Sequence, residues 1–185
     1  ISSAVPIYIA IPVVILMTIA LGFFIERAAY KPLRNAPRMS VMISAIGVSY
    51  LLQNLATYVT GGQPMTYPAI QALNKTVEIM GTPTKLVVIV TPVLVLVLIA
   101  ALTTLINKTK IGMAMRAVSK DFETSQLMGI KINSVISMTF VIGSFLAAVG
   151  SMLYFTNYPS VAITSGGMPG LKAFVAAVFG GIGSI

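Results

Sequence analysis

Long apolar stretches separated by short polar loops form most of the 185-residue chain. An apolar run of about 20 residues can cross a bilayer as an α-helix. Four complete runs and the beginning of a fifth fit this pattern, and they cover residues 5–25, 39–60, 84–106, 132–155 and the stretch that starts at 171. The pattern predicts an all-α, polytopic transmembrane helical bundle with about four full spans and part of a fifth.

The two ends of the chain indicate that residues 1–185 form one transmembrane domain that is incomplete at both ends. The chain starts with Ile1 rather than Met, and Ile185 lies within an apolar stretch. We therefore expect this sequence to be a fragment of a longer protein.

The segment 39–60 is the most polar of the predicted spans. One face of this helix, with residues at steps of three and four, consists of Ser40, Ser44, Gly47, Leu51, Asn54 and Tyr58. Polar groups at membrane depth are costly unless they contact protein or water, so we expect this face to pack on a neighbour or to line a passage. The candidate residues of a translocation path are Ser44, Gln53, Asn54 and Thr57. Hydrogen bonding between helices is an equally supported alternative.

The segment 132–155 carries three serines at seven-residue spacing, Ser137, Ser144 and Ser151. Small residues allow helices in lipid to approach closely, because burial of apolar surface alone drives no association there. The spacing favours close helix packing over a role in lining a passage. Before this segment, residues 76–80 are predicted to form a short extended piece.

Composition and charge narrow the class of protein. The chain is 57% hydrophobic and 9% charged, whereas a soluble domain has about 25% charged residues. It has no His and no Cys, which excludes thiol chemistry, disulfides and metal sites built from His or Cys. We expect no catalytic residues, no cofactor and no metal site. Basic loops that stay inside a membrane explain the net charge of +8, and no nucleic-acid-binding signature accompanies that charge.

Basic residues are concentrated in two loops, 26–38 and 107–131. Nine of the twelve Lys and Arg residues lie in these loops, and the remaining three are Lys75, Lys85 and Lys172. Because basic loops are retained in the cytoplasm, the count predicts that both loops are cytoplasmic. The loops 61–83 and 156–170 are then external.

A short helix is predicted within the loop 107–131. Asp121 can accept hydrogen bonds from the free N–H groups at the start of this helix, and Gly129 suits the left-handed conformation at its end. A small apolar edge between them has three-residue spacing and consists of Phe122, Ser125 and Met128. Because a two-turn helix is marginal alone, the pattern predicts a contact with a second protein or, as an alternative, with the lipid surface.

Four stretches of the sequence resemble, in the same order, the permease subunits of bacterial ABC importers for branched-chain amino acids. They are IERAAYKPLR at 25–34, SAIGVSYLLQN at 44–54, the run from KTKIGMAMRAVSK to SFLAAVG at 108–150, and MPGLKAFVAAVFGGIGSI at 168–185. The similarity covers most of the chain, and it is to the H-type of the two paired permease subunits.

The resemblance implies that the segment from Arg116 to Gly129 is the coupling helix, which ABC importers dock into an ATP-binding subunit. The implied contact residues are Arg116, Asp121, Phe122, Glu123, Ser125, Met128 and Gly129. The resemblance also implies a multi-pass protein of the bacterial cytoplasmic (inner) membrane that is not itself an enzyme, with ATP hydrolysis on a separate chain. The implied partners are a second permease subunit, two ATP-binding subunits, an extracytoplasmic solute-binding protein and membrane lipid.

Two other functions stay open as alternatives. A permease of the same type that carries urea, short amides or another small polar solute would resemble this one in its spans. An ion-gradient-driven secondary transporter is a different class, and it normally needs acidic or His residues inside its spans. No such residue lies clearly within a predicted span. Glu26 and Arg27 follow the first span and are expected to anchor its end near lipid headgroups, with a regulatory or subunit contact as the alternative.

Overall fold

A computed structural model of the chain describes residues 7–33, 38–67, 76–79 and 82–181. These residues are mainly helical, which confirms the all-α prediction. The helices are α1 (Ile7–Ile25), α2 (Arg38–Thr60), α3 (Leu86–Lys108), α4 (Lys110–Lys120), α5 (Phe122–Leu127), α6 (Ile132–Asn157) and α7 (Gly167–Phe179). A π-helical turn, Glu26–Tyr30, follows α1, and a 3₁₀ turn, Ile163–Gly166, precedes α7. Parts of the stretches used above, including Arg34, Lys75 and residues 182–185, lie outside the described residues.

The described strands form two small antiparallel ladders in the segments between helices. Strand β1 (Met65–Thr66) pairs with β4 (Ser160–Val161), and β2 (Thr76–Ile79) pairs with β3 (Thr82–Lys85). Strand β2 confirms the extended piece predicted near residues 76–80. Its partner β3 was not predicted, because residues 84–85 were assigned to the following helix.

Three helices among the described residues are long and apolar enough to cross a membrane. They cover Ile9–Tyr30, Leu86–Lys108 and Ile132–Asn157. Helix α2 is also long enough, with 23 residues, but its polar side chains make it less apolar than these three. The four predicted full spans therefore correspond to three strongly apolar helices and α2. The predicted part of a fifth corresponds to α7, a shorter helix that begins at Gly167 rather than at 171.

Hydroxyl groups within the helices bond to the helix backbone. Each of several Thr side chains donates to the carbonyl oxygen four residues earlier, as Thr91 does to Val87 at 2.6 Å and Thr139 to Val135 at 2.9 Å. A membrane interior offers no water to these groups, so they must be satisfied within the protein. This bonding explains how the polar residues of the spans are compatible with lipid.

Helices α1 and α6 pack closely against each other in opposite directions. A Cβ atom added to Gly22 would overlap the Ser144 side chain, so the two helices approach closely there. Just past the end of α1, Ser137 Oγ donates to Glu26 Oε2 at 2.9 Å. The prediction that the serine stripe serves helix packing is therefore confirmed at Ser137 and Ser144. Ser151 is exposed, and its Oγ donates to Ala148 of its own helix.

Few residues of the three apolar spans are fully buried by the part of the chain that the structure describes. In the most apolar window of each span, only 6% of the residues are buried. The remaining surface is available to lipid or to other protein.

The loops fall into two groups at opposite ends of the α1–α6 pair. At one end, which we call the basic end, the π-helical turn contacts α6 close to the loop that contains α4 and α5. At the other end, β1 pairs with β4, and Tyr67 N donates to Pro159 O at 2.7 Å. This grouping matches the predicted pairing of the loops.

Glu26 does not anchor the helix end in the way expected. The apolar span Ile9–Tyr30 includes this residue, and its side chain is only 2% exposed. The expectation that no acidic residue lies in a span was therefore wrong. The reason is that the chain continues past Ile25 as a π-helical turn that packs on α6, while Arg27 stays exposed.

The close approach at Gly22 generates a prediction about stability. Gly22→Ala should lower the free energy of unfolding by about 1–3 kcal/mol, the usual cost of overpacking, because the added methyl group overlaps Ser144. Thermal unfolding of the full-length protein in detergent measures this change. Gly143→Ala is the matched control on α6, since nothing lies within 4 Å of its added Cβ. Equal stability of the two variants would contradict the α1–α6 contact.

Candidate functional site

The candidate site begins where α3 turns into α4. Thr109 has an extended backbone, and its Oγ1 donates to Leu105 O at 2.6 Å while accepting from Gly112 N at 3.1 Å. It thus ends α3 and caps α4. A Cβ atom added to Gly112 would lie 2.2 Å from Ile106 O, so α4 packs directly on the backbone of α3. The end of α3 at Thr109 and the start of α4 were not predicted from the sequence, although Thr109 before a basic, amphipathic stretch is a recognisable N-cap signal.

Arg116 belongs to this corner rather than to an exposed docking helix. Its guanidinium donates to Asn107, from Nη1 to Oδ1 at 3.5 Å and from Nη2 to the backbone O at 3.4 Å. A basic side chain at the last carbonyls of a helix stabilises that end. The structure therefore places the Arg116 guanidinium against the end of α3.

The predicted coupling helix from Arg116 to Gly129 is wrong as a single element. Helix α4 ends at Lys120, and α5 begins at Phe122. Between them Asp121 has an extended backbone, with φ −150° and ψ 110°. An N-cap residue needs this non-helical conformation, so the same Asp121 that starts α5 must end α4.

Asp121 caps α5, as predicted. Its Oδ1 accepts from Thr124 N at 3.1 Å, and its Oδ2 accepts from Thr124 Oγ1. The hydrogen bond from the Thr124 side chain, followed by that from its backbone, holds the pKa of the Asp121 carboxyl below its ordinary value. Because the folded pKa is the lower one, the cap contributes fully above the unfolded pKa of about 3.9 and is lost only at still lower pH. The cap is therefore intact at neutral pH.

Gly129 ends α5, also as predicted. Its φ is +80°, a left-handed conformation that favours glycine. The N–H of Ile130 donates to Ser125 O at 3.1 Å, and the N–H of Gly129 donates to Gln126 O at 3.0 Å. This pair of bonds is a Schellman motif, and it joins α5 to α6 through only a short connection.

The exposed apolar edge of α5 differs from the predicted one. Ser125 is buried, with 4% of its surface exposed, and its Oγ donates to Asp121 O at 2.6 Å. The large exposed apolar residues are instead Phe122 (45%), Leu127 (88%) and Met128 (78%). Leu127 was not predicted as part of this edge, because it lies outside the three-residue step of Phe122, Ser125 and Met128.

The two acidic residues of this segment lie on the exposed surface of α5. Asp121 and Glu123 are both exposed. A groove of about 520 Å³ separates α5 from the start of α6, lined by Phe122, Gln126, Ile130, Lys131, Ile132, Asn133 and Ser134. From α5 itself, Phe122 and Gln126 border this groove.

The four candidate path residues on α2 do not all share a face. Ser44 and Gln53 are nine positions apart, which places them on roughly opposite sides of an α-helix. Asn54 and Thr57 lie closer together and are exposed. The Asn54 amide donates to Tyr50 O at 2.8 Å, Thr57 Oγ1 donates to Gln53 O at 2.8 Å, and the Gln53 amide donates to Ser49 Oγ at 3.2 Å. These three hydrogen bonds all lie within α2. Among the four candidate residues, Asn54 and Thr57 are the exposed ones.

Comparison with known families gives a match over the whole chain. The family model described as "Branched-chain amino acid transport system / permease component" matches residues 1–185. No solved structure shows a significant match.

Curated relatives agree with this family. The chain is 37% identical to the high-affinity branched-chain amino acid transport system permease protein BraD of Pseudomonas aeruginosa, over 92% of this chain and 57% of the relative. It is also 37% identical to the permease protein LivH of the same kind of system in Escherichia coli K12, over 92% and 56%. It is 26% identical to the ribose import permease protein RbsC of Haemophilus influenzae, over 98% and 54%. The chain thus spans somewhat more than half the length of these relatives.

The Schellman motif generates a prediction about α5. Gly129→Ala should destabilise this helix by about 1–2 kcal/mol, because a Cβ atom is disfavoured at positive φ, although nothing lies within 4 Å of it. Hydrogen exchange of the α5 amides in the full-length protein should rise accordingly. Gly129→Asn should show a smaller effect, since Asn tolerates this conformation. Unchanged exchange in Gly129→Ala would contradict the motif.

Proposed function

The chain belongs to the family of permease components of branched-chain amino acid transport systems, and we propose that it forms part of the translocation pathway of an ATP-driven importer. As a member of this family it is a multi-pass membrane transport subunit rather than an enzyme. The observation that carries the proposal is the extent of the family match, which includes α5 and all the described helices.

The proposed partners supply what this chain lacks. No stretch of the 185 residues has the Gly-Lys-Ser/Thr ending of a phosphate-binding loop, so we assign ATP hydrolysis to two separate ATP-binding subunits. A second permease subunit completes the pathway, and an extracytoplasmic solute-binding protein delivers the solute. Membrane lipid contacts the apolar surface of the spans.

We assign the basic end to the cytoplasm of a bacterial cell, with loops 26–38 and 107–131 on that side. The support is the concentration of Lys and Arg in these loops. This orientation places α5 where cytoplasmic ATP-binding subunits can reach it. It places β1 and β4 on the side where a solute-binding protein docks.

Helix α5 is the proposed coupling helix. It is fixed at its start by Asp121 and at its end by Gly129, and its apolar residues Phe122, Leu127 and Met128 are exposed. Exposed apolar side chains on a rigid short helix suit a groove on another protein. Glu123 lies on the same exposed segment, while Ser125 supports the helix from within and Arg116 fixes the preceding corner.

In the proposed mechanism, closure of the ATP-binding subunits moves α5 and thereby α6. The spans then switch between outward and inward access. Such a switch requires that the partner contacts differ between the two states. The short, hydrogen-bonded connection between α5 and α6 supports transmission of this movement into the membrane.

The proposed solute is a branched-chain amino acid, and α2 supplies the proposed polar path. An amino-acid zwitterion needs hydrogen-bonding groups rather than a fixed charge along its route, and Asn54 and Thr57 are exposed polar residues of α2. Gln53 lies beside them, and Ser44 faces another side of the helix. A different small polar solute is the second candidate, because the chain also resembles a ribose import permease.

The docking role of α5 is tested at Leu127. Leu127→Asp should abolish recovery of the ATP-binding subunits with the affinity-purified full-length permease in mild detergent. The reason is that a charge replaces an exposed apolar contact, while a side chain 88% exposed contributes little to the fold.

Met65→Asp is the matched control for this experiment, since Met65 is also exposed but lies at the opposite end of the bundle. It should leave the ATP-binding subunits attached. Recovery of these subunits with Leu127→Asp, at the level of the wild-type protein, would sink the assignment of α5.

The path and the solute are tested together by uptake into proteoliposomes that contain the whole importer, its binding protein and ATP. Labelled leucine uptake should be inhibited by isoleucine and valine but not by urea, acetamide or ribose. Asn54→Leu and Thr57→Val should each lower uptake about fivefold, the size expected for one lost hydrogen bond.

Thr104→Val on α3 is the matched control, because Thr104 makes the same bond to a carbonyl four residues earlier as Thr57 does. Its uptake should be unchanged. Inhibition by ribose or urea instead of isoleucine would favour the second candidate solute, and normal uptake by both α2 variants would exclude α2 from the path.

A further inference from the structure

The buried carboxylate of Glu26 is a feature that the proposed coupling role of α5 does not use. It is 2% exposed, and it accepts a hydrogen bond from Ser137 Oγ at 2.9 Å. A carboxylate is costly to bury unless hydrogen bonds or charges compensate it. The burial of this carboxyl group beside the first turns of α6 therefore indicates a specific role.

The backbone around Glu26 is also unusual. The N–H of Lys31 donates to Glu26 O at 2.9 Å, which closes a π-helical turn over Glu26–Tyr30. π-Helical turns are rare in proteins, and this one continues the chain directly past the end of α1. Here the turn carries a second contact to α6, because the Tyr30 ring packs on the Phe140 ring with centroids 5.0 Å apart.

These contacts combine with the approach of Gly22 to Ser144 to hold α1 along the first half of α6. The same half of α6 begins three residues after Gly129, at Ile132. A displacement of α5 therefore reaches the Glu26–Ser137 bond within about two helical turns of α6.

We propose that Glu26 is a positioning residue of the transport cycle, which fastens α1 to α6 through Ser137 so that both helices follow the movement of α5. This inference rests on the proposed function. Glu26 contacts neither solute nor ATP in this role. It acts by making the basic ends of α1 and α6 move together.

The inference is tested with a double-mutant cycle in the reconstituted importer. The readout is the amount of solute transported per ATP hydrolysed, measured on complexes with equal recovery of the ATP-binding subunits. Ser137→Ala and Glu26→Ala should each lower this ratio roughly tenfold, the upper end of the size expected for one hydrogen bond. In the Glu26→Ala background, Ser137→Ala should cause no further loss.

Two additional variants separate positioning from folding. Glu26→Gln keeps an acceptor for Ser137 and should retain the ratio within about twofold. Ser151→Ala removes a serine of the same stripe whose Oγ donates to Ala148 O of its own helix, and it should behave as the wild type. If Glu26→Ala fails to assemble, the loss of the ratio in Ser137→Ala and its retention in Ser151→Ala still decide the question.

Additive effects of Glu26→Ala and Ser137→Ala, or an unchanged ratio in Ser137→Ala, would overturn the inference while wild-type transport stays ATP-driven. Failure of the proposed function is distinguishable, because the wild-type complex itself would then show no ATP-driven uptake. That result would overturn both proposals.

Discussion

The approach of α1 to α6 is the interaction on which the rest of this structure depends. Apolar helices in lipid gain nothing from burying apolar surface against each other, so close contact must come from small residues and hydrogen bonds. Gly22 leaves the space that Ser144 occupies, and Ser137 donates a hydrogen bond that Glu26 accepts. The pairing also brings the π-helical turn and the loop with α4 and α5 to the same end of the molecule.

The loop at the basic end is organised by local hydrogen bonds rather than by a hydrophobic core. Thr109 and Gly112 fix α4 against the end of α3, Asp121 separates α4 from α5, and Gly129 ends α5. A six-residue helix has little stability of its own, so these caps define its position. Exposed apolar residues on such a positioned helix are suited to transmit a partner's movement, which is the role that we propose.

Signals that act over a few residues were predictable from the sequence, whereas contacts between distant residues were not. The caps at Asp121 and Gly129 use partners within five positions, and the spans follow from the length of apolar runs. The burial of Glu26 depends on Ser137, 111 positions away, and the role of Arg116 depends on how α4 folds back on α3. The division of the predicted coupling helix at Asp121 was accessible from the sequence, because an N-cap residue cannot also continue the preceding helix.

The measurement that tests the account most directly is site-specific cross-linking of α5 in the full-length protein within native membranes. These 185 residues contain no Cys, so Leu127→Cys introduces a unique thiol here, and Met65→Cys places one at the opposite end. Our account predicts that a thiol-directed cross-linker joins position 127, but not position 65, to an ATP-binding subunit. A product with the ATP-binding subunit from position 65, or none from an accessible position 127 in an active importer, would contradict it.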